Sequence, residues 1–214
     1  LTLDIYPGQI TGFLGPNGAG KTTTIRMMTG LMFPTSGEVI INGTSLKEDF
    51  EGAIQNIGVI VENPEMYKFM SGYKNLQHFA RMHKGVTKER IDEVVAQVGL
   101  QNRIHEKVKT YSLGMRQRLG LAQAMLHRPK FLILDEPTAS LDSFARKDLY
   151  QMMFEYMEDG NHNIIWTTHL TDELDRMADY ILYLEKGEQK FFEEKEELLS
   201  RYKIVKGTKG RMDC

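Results

Sequence analysis

The sequence predicts an α/β fold, with a mixed, mainly parallel sheet and a helical lobe inserted into it. Three observations carry the prediction. Short β-like runs alternate with helical patterns towards both ends of the chain. One run, Phe131-Leu132-Ile133-Leu134, is apolar throughout, as a parallel strand buried on both faces is. Between them, from about 67 to 126, the pattern is helical alone.

In chain order, residues 9–14 read as a strand running into a glycine-rich stretch, and a helix is expected over about 21–32, stopping before Pro34. Residues 38–41 read as a strand ending in the tight turn Asn42-Gly43. Another apolar strand covers 57–61. In the lobe, Thr87 is an N-cap, Ile91, Val94, Val95 and Val98 recur at helical spacing, and Gly99 is the stop. Ser112 opens a second helix with Met115, Leu119, Ala122 and Leu126 on one face, ended by Pro129. The core resumes at Phe131, followed by a helix over 143–158, a strand at 164–166, a short helix at 171–177 and a strand at 180–184. Lys186-Gly187 makes a turn, and a charged helix over 193–202 precedes a loose tail.

The chain of 214 residues is 41% hydrophobic, enough to bury a sizeable core. Its 27 Lys and Arg against 29 Asp and Glu leave a net charge of −2, which argues against a general nucleic-acid binder. The lone Cys214 rules out a disulfide within the chain and points to a reducing compartment. No apolar run approaches the ~20 residues that span a bilayer, and no signal peptide is expected. A cytoplasmic protein, peripheral at the cytoplasmic face of the plasma membrane through a partner, is the expectation. The first residue is Leu1, and truncation at the N-terminus is expected.

Gly15-Pro16-Asn17-Gly18-Ala19-Gly20-Lys21-Thr22 fits the phosphate-loop pattern in full, and Thr23 continues it. Glycines let the backbone approach phosphate oxygens, and the loop N–H groups and the helix N-terminus favour negative charge. Lys21 can reach the β- and γ-phosphates, and the Thr22 hydroxyl can coordinate Mg²⁺. Asp135 and Glu136 end the apolar strand, at the carboxyl edge of the sheet where nucleotides bind. Alone, such a pair would read as a helix cap. Beside a phosphate loop, Asp135 is expected in the Mg²⁺ shell and Glu136 as the general base that orients water.

Tyr111-Ser112-Leu113-Gly114-Met115-Arg116-Gln117-Arg118 resembles the signature of ABC ATPases, and Ser112 stands 24 residues before Glu136, as the family spacing has it. Leu113 and Met115 depart from the usual Gly and Gln. Three further segments follow the family order. Ser140-Leu141-Asp142 resembles the D-loop, His169 after Thr168 resembles the switch histidine, and Glu62-Asn63-Pro64-Glu65-Met66-Tyr67 aligns with the Q-loop, with Glu62 where the family has Gln. The resemblance runs from about residue 3 to 206.

The resemblance implies a P-loop NTPase (RecA-like) core with an inserted α-helical subdomain. The core would comprise 1–66 and 127–206, the signature subdomain 67–126 and a flexible tail 207–214. It implies ATP and Mg²⁺ as ligands, with Ser112, Gly114 and Asp142 facing the nucleotide of a second ATPase subunit, identical or not, in a head-to-tail dimer. His169 would contact the γ-phosphate, and Glu62 would stand near metal and water, where it leaves a subunit that no longer hydrolyses as an open alternative. A transmembrane permease would dock near Asn63 to Gly72, where Met66, Tyr67, Phe69 and Met70 either present a docking surface or cover the lobe. The adenine platform of the family lies upstream of the phosphate loop. Tyr6, nine residues before Gly15, is not expected to be it. Without that platform, affinity would fall by the ~1–3 kcal/mol of a base–aromatic stack.

Glu62 and the signature resemble the bacitracin and lantibiotic resistance branch of exporters, whereas Tyr202-Lys203-Ile204-Val205-Lys206-Gly207 resembles small exporter ATPases of regulator-linked operons. The common expectation is a bacterial-type exporter, with peptide antibiotics or other peptides as cargo. A P-loop kinase or GTPase would lack the signature helix. A translation or repair ATPase would carry two such units or a long coiled-coil insertion.

Overall fold

The computed structural model describes residues 1–61, 64, 66–139 and 141–201. Glu62, Asn63, Glu65, Ser140 and everything beyond Arg201, including the 202–207 segment and Cys214, lie outside the described residues.

A six-stranded sheet organises the molecule. Its strands are β1 (Ile10–Leu14), β4 (Ile57–Ile60), β5 (Phe131–Asp135), β6 (Asn163–Thr168), β7 (Tyr180–Glu185) and β8 (Glu188–Glu194), in the order β4-β5-β6-β1-β7-β8. All are parallel except β8, which returns antiparallel along β7. A separate hairpin pairs β2 (Ile40–Ile41) with β3 (Thr44–Ser45).

The central strands are buried on both faces, and their side chains divide with period two. Leu132, Leu134, Ile164 and Trp166 join one apolar cluster, and Phe13, Ile133, Ile165 and Leu182 the other. Helix α1 (Lys21–Met28) covers the second face through Ile25, and α2 (Phe50–Ile54) contributes Ala53 there. The first face carries α6 (Ser143–Met157) and α7 (Thr171–Met177). It also carries the lobe helices α3 (Gly72–Ala80), α4 (Lys88–Gln97) and α5 (Leu113–Met125). Leu76, Val94 and Leu119 of the lobe belong to the same cluster as Leu134 and Trp166, so the lobe shares its apolar core with the sheet.

Polar caps start five of these helices. Asp49, Ser71, Thr87, Ser112 and Asp142 each accept a backbone N–H of the first turn of α2, α3, α4, α5 and α6.

Three expectations need correction. The first helix ends at Met28, short of 32: Thr29 Oγ1 donates to the Ile25 carbonyl, and Gly30 takes φ +71°, which closes the helix and throws Leu31 and Phe33 out to solvent. The strand expected at 38–41 is only Ile40–Ile41. The charged helix expected from 193 is α8 (Lys195–Arg201), and Glu188–Glu194 is strand β8. Lys186 and Gly187, both at positive φ, fold the chain back on β7, where Phe192 faces Leu182 and Phe191 faces Tyr183. Its charged residues suit a sheet edge, which local helix propensity does not anticipate.

Candidate nucleotide site

The strand order sets up the site. β1 delivers the phosphate loop to the carboxyl edge of the sheet, and β5 delivers Asp135 and Glu136 to the same edge, with β6 between them. Gly15 sits where a side chain cannot: a Cβ there would lie 2.4 Å from the Leu184 carbonyl oxygen. The loop closes with Ala19 N–H on the Pro16 carbonyl and Gly187 N–H on the Ala19 carbonyl. Asn17 and Gly18 are exposed, Thr23 is exposed beyond them, and Lys21 is only 5% exposed.

Lys21 Nζ donates to the Gly15 carbonyl at 2.7 Å and the Pro16 carbonyl at 3.2 Å, and lies 3.5 Å from Glu136 Oε1. The same Glu136 oxygen is 3.5 Å from His169 Nδ1. One carboxylate oxygen is therefore shared by the loop lysine and the histidine, although the three residues come from different elements. Glu136 adopts φ +44°, a left-handed backbone that costs an L residue roughly 1–2 kcal/mol. Its N–H donates to Thr167 Oγ1 at 2.9 Å.

Thr167 was not singled out by any motif, yet it sits at the centre of the site and is fully buried in β6. Its hydroxyl donates to Asp135 Oδ1 at 2.6 Å while accepting from Glu136. Thr22 Oγ1 donates to the other oxygen, Asp135 Oδ2, at 2.8 Å. The only sequence signal for Thr167 is a β-branched hydroxyl two residues before the histidine.

This hydroxyl and carboxylate are hard oxygen donors that suit Mg²⁺, which takes few protein ligands and completes its shell with water and phosphate. Among the described residues no group of three or more His, Cys, Asp or Glu side chains could hold a metal by itself. Thr22 and Asp135 are the residues that would hold the ion. Glu62 lies outside the described residues.

Ser112 and Gly114 lie elsewhere. With Leu141, Asp142, Phe144 and Arg103 they line a groove between the lobe and the start of α6, and no residue of the phosphate loop lines it. Ser112 caps α5 by accepting Met115 N–H at 3.2 Å, and Asp142 caps α6 by accepting Ala145 N–H at 2.8 Å. A second groove, lined by Val61, Pro64, Met66, Tyr67, Phe79 and Gln123, opens between β4 and the lobe. Tyr67 and Phe69 are exposed beside it, 5.9 Å apart ring to ring, whereas Met66 and Met70 are half-buried.

Comparison with known proteins agrees with this architecture. The family model described as ABC transporter matches residues 1–139. An uncharacterized ABC transporter ATP-binding protein of Bacillus subtilis (strain 168) is 58% identical over 187 residues, 87% of this chain and 61% of the relative. The bacitracin transport ATP-binding protein of Bacillus licheniformis is 40% identical over the same shares of each chain. The chain thus spans about three fifths of the length of these relatives. Among solved structures, an ATP-binding subunit of an ABC transporter superposes with a TM-score of 0.80 at 28% identity, covering 91% of this chain and 82% of that one.

Proposed function

The chain belongs to the ABC transporter family, as an ATP-binding domain of its ATPase class, and from that premise we propose that it hydrolyses ATP as one half of a head-to-tail dimer. The dimer would power a bacterial-type exporter through separate membrane subunits. The observation that carries this reading is the sharing of Glu136 Oε1 by Lys21 and His169, beside the Thr22–Asp135 pair.

The roles follow from chemistry and placement. The loop N–H groups and Lys21 bind the β- and γ-phosphates, and Lys21 exchanges the Gly15 and Pro16 carbonyls for phosphate oxygens when nucleotide enters. Thr22 and Asp135 would hold Mg²⁺, which would supply positive charge to the phosphate oxygens. Glu136 orients water for in-line attack on the γ-phosphorus and takes its proton as the bond to the leaving β-phosphate oxygen breaks. His169, 42% exposed at its side chain, donates to the γ-phosphate.

Ser112 and Gly114 line a groove apart from this centre, at the N-terminus of α5, where the helix dipole suits an anion. A second subunit in head-to-tail arrangement would bring its own signature to complete each site. The groove beside Tyr67 and Phe69 would receive a permease helix at the cytoplasmic face of the membrane. The bacitracin transport relative suggests peptide antibiotics as cargo.

The test is ATP hydrolysis by the purified chain at several protein concentrations, beside Glu136→Gln. Specific activity should rise with concentration, and Glu136→Gln should hydrolyse at least a hundredfold more slowly while ATP doubles its mass in solution. Concentration-independent rates, or a Glu136→Gln variant as fast as the wild type, would overturn the dimer and the base respectively.

A further inference from the structure

Glu173 is a carboxylate that the chemistry above does not use, and it is only 3% exposed. A carboxylate so placed needs donors around it. Thr138 Oγ1 donates to its Oε1 at 2.5 Å, and Trp166 Nε1 donates to its Oε2 at 3.3 Å. The Tyr150 phenol on α6 feels it too: burial, and then the charge of Glu173, push that phenol up to about 12.

The sources of these donors matter. Thr138 lies two residues beyond Glu136, Trp166 lies three residues before His169, and Glu173 is on α7 four residues after His169. One side chain therefore joins the loop that carries Glu136 to both segments that flank His169. The loop needs anchoring, because Glu136 holds a left-handed backbone. Thr167 holds its N–H, and the Ala139 N–H closes a turn on its carbonyl at 3.1 Å. The Thr138–Glu173 bond is the side-chain anchor on the far side of that turn.

We propose that Glu173 is a positioning residue for hydrolysis: its buried carboxylate latches the Glu136 loop to α7, so that Glu136 and His169 move as one unit. The inference rests on the roles given to Glu136 and His169 above. Glu173 itself is bonded by Thr138 and Trp166 and acts through the loop they belong to. A displaced base loses rate steeply, since a misplacement of about 1 Å can cost a hundredfold, whereas nucleotide affinity depends on the phosphate loop.

Thr138→Val and Glu173→Gln disturb the two halves of the same bond, and Thr138→Ser keeps it. Their kcat, their equilibrium affinity for ADP and their melting temperatures would be measured beside Glu136→Gln. Thr138→Val and Glu173→Gln should each lower kcat about tenfold or more, with ADP affinity within about twofold. The double variant should be no slower than the slower single one, because both remove one device. Thr138→Ser should restore the rate. In the ¹⁵N-labelled chain, Thr138→Val should shift both the Glu136 amide and the His169 ring resonances, a readout that does not need turnover and stands if Glu173→Gln does not fold. Wild-type rates in Thr138→Val and Glu173→Gln beside an inactive Glu136→Gln would overturn the latch alone. So would unmoved resonances, or affinity and melting temperature falling in step with kcat. Wild-type hydrolysis by Glu136→Gln would overturn the base and the latch together.

Discussion

Thr167 illustrates how much of this site depends on single buried hydroxyls. It donates to one oxygen of Asp135 and accepts the N–H of the strained Glu136, while Thr22 occupies the other Asp135 oxygen. Valine has nearly the shape of threonine but leaves the Glu136 N–H and the Asp135 oxygen unpaired, at about 1–3 kcal/mol for each buried group. Thr167→Val should therefore raise the Mg²⁺ concentration needed for half-maximal hydrolysis by roughly tenfold or more, the usual effect of losing an outer-shell partner. A Mg²⁺ titration of the rate checks it, and an unchanged midpoint would remove Thr167 from the metal's support. Lys21 makes a different prediction. Its ammonium is held by two loop carbonyls and Glu136, so Lys21→Ala should cost nucleotide binding itself rather than turnover alone. Equilibrium titration with a fluorescent nucleotide measures it.

At the scale of elements, two caps with the same chemistry have different consequences. Thr87 and Ser112 each accept a first-turn N–H, of Arg90 and Met115 respectively. Either replaced by alanine should cost about 1 kcal/mol of stability. Thr87→Ala, at the start of α4, should leave ATP hydrolysis per folded molecule unchanged. Ser112→Ala should lose ATP-driven association as well, because Ser112 stands at the lip of the signature groove. Urea unfolding beside sedimentation with ATP separates the two. The β1–α7 contact is equally specific: a Cβ at Gly12 would come 2.4 Å from Leu174 Cδ2 and 3.2 Å from Ala178 Cβ. Gly12→Ala therefore has to turn the buried Leu174 side chain aside, on the helix that carries Glu173, and should destabilise the fold.

At the scale of the whole molecule, the lobe and the sheet are joined by polar contacts as well as by a common apolar core. Arg118 reaches from α5 to Asp148 on α6 and to the Val98 carbonyl. Arg90 caps the end of α5 through the Met125 and Leu126 carbonyls. His127, just beyond, bonds the Ile57 carbonyl of β4 and stacks on His83 at 4.2 Å, with its Nδ1 buried and unpaired. Burial first, then His83 and Arg90, lower its pKa from 6.5 to about 4, and burial lowers His83 in the same direction. Between those values the unfolded chain binds the proton and the folded one does not. The stability from a neutral His127 is thus present above pH 6.5 and lost as pH falls towards about 4. Melting temperature followed across that window should fall more in the wild type than in His127→Gln.

The glycine-rich loop, the acid pair at a strand end, the caps Thr87 and Ser112 and the helical lobe were legible in the sequence because each is local. A contiguous glycine-rich motif, a cap with its first turn and an apolar run need no distant partner to be recognised. Strand β8 was hidden by helix-favouring glutamates, and the early end of α1 by the apolar residues on either side of the Thr29-Gly30 stop. What only the tertiary structure decided is adjacency across the sheet: that β6 lies between β1 and β5, which sets Thr167 against Asp135 and Glu136, and that α7 folds back to place Glu173 under Thr138. Strand order is set by which apolar faces pack together over long separations in the chain, and no local pattern of residues records it.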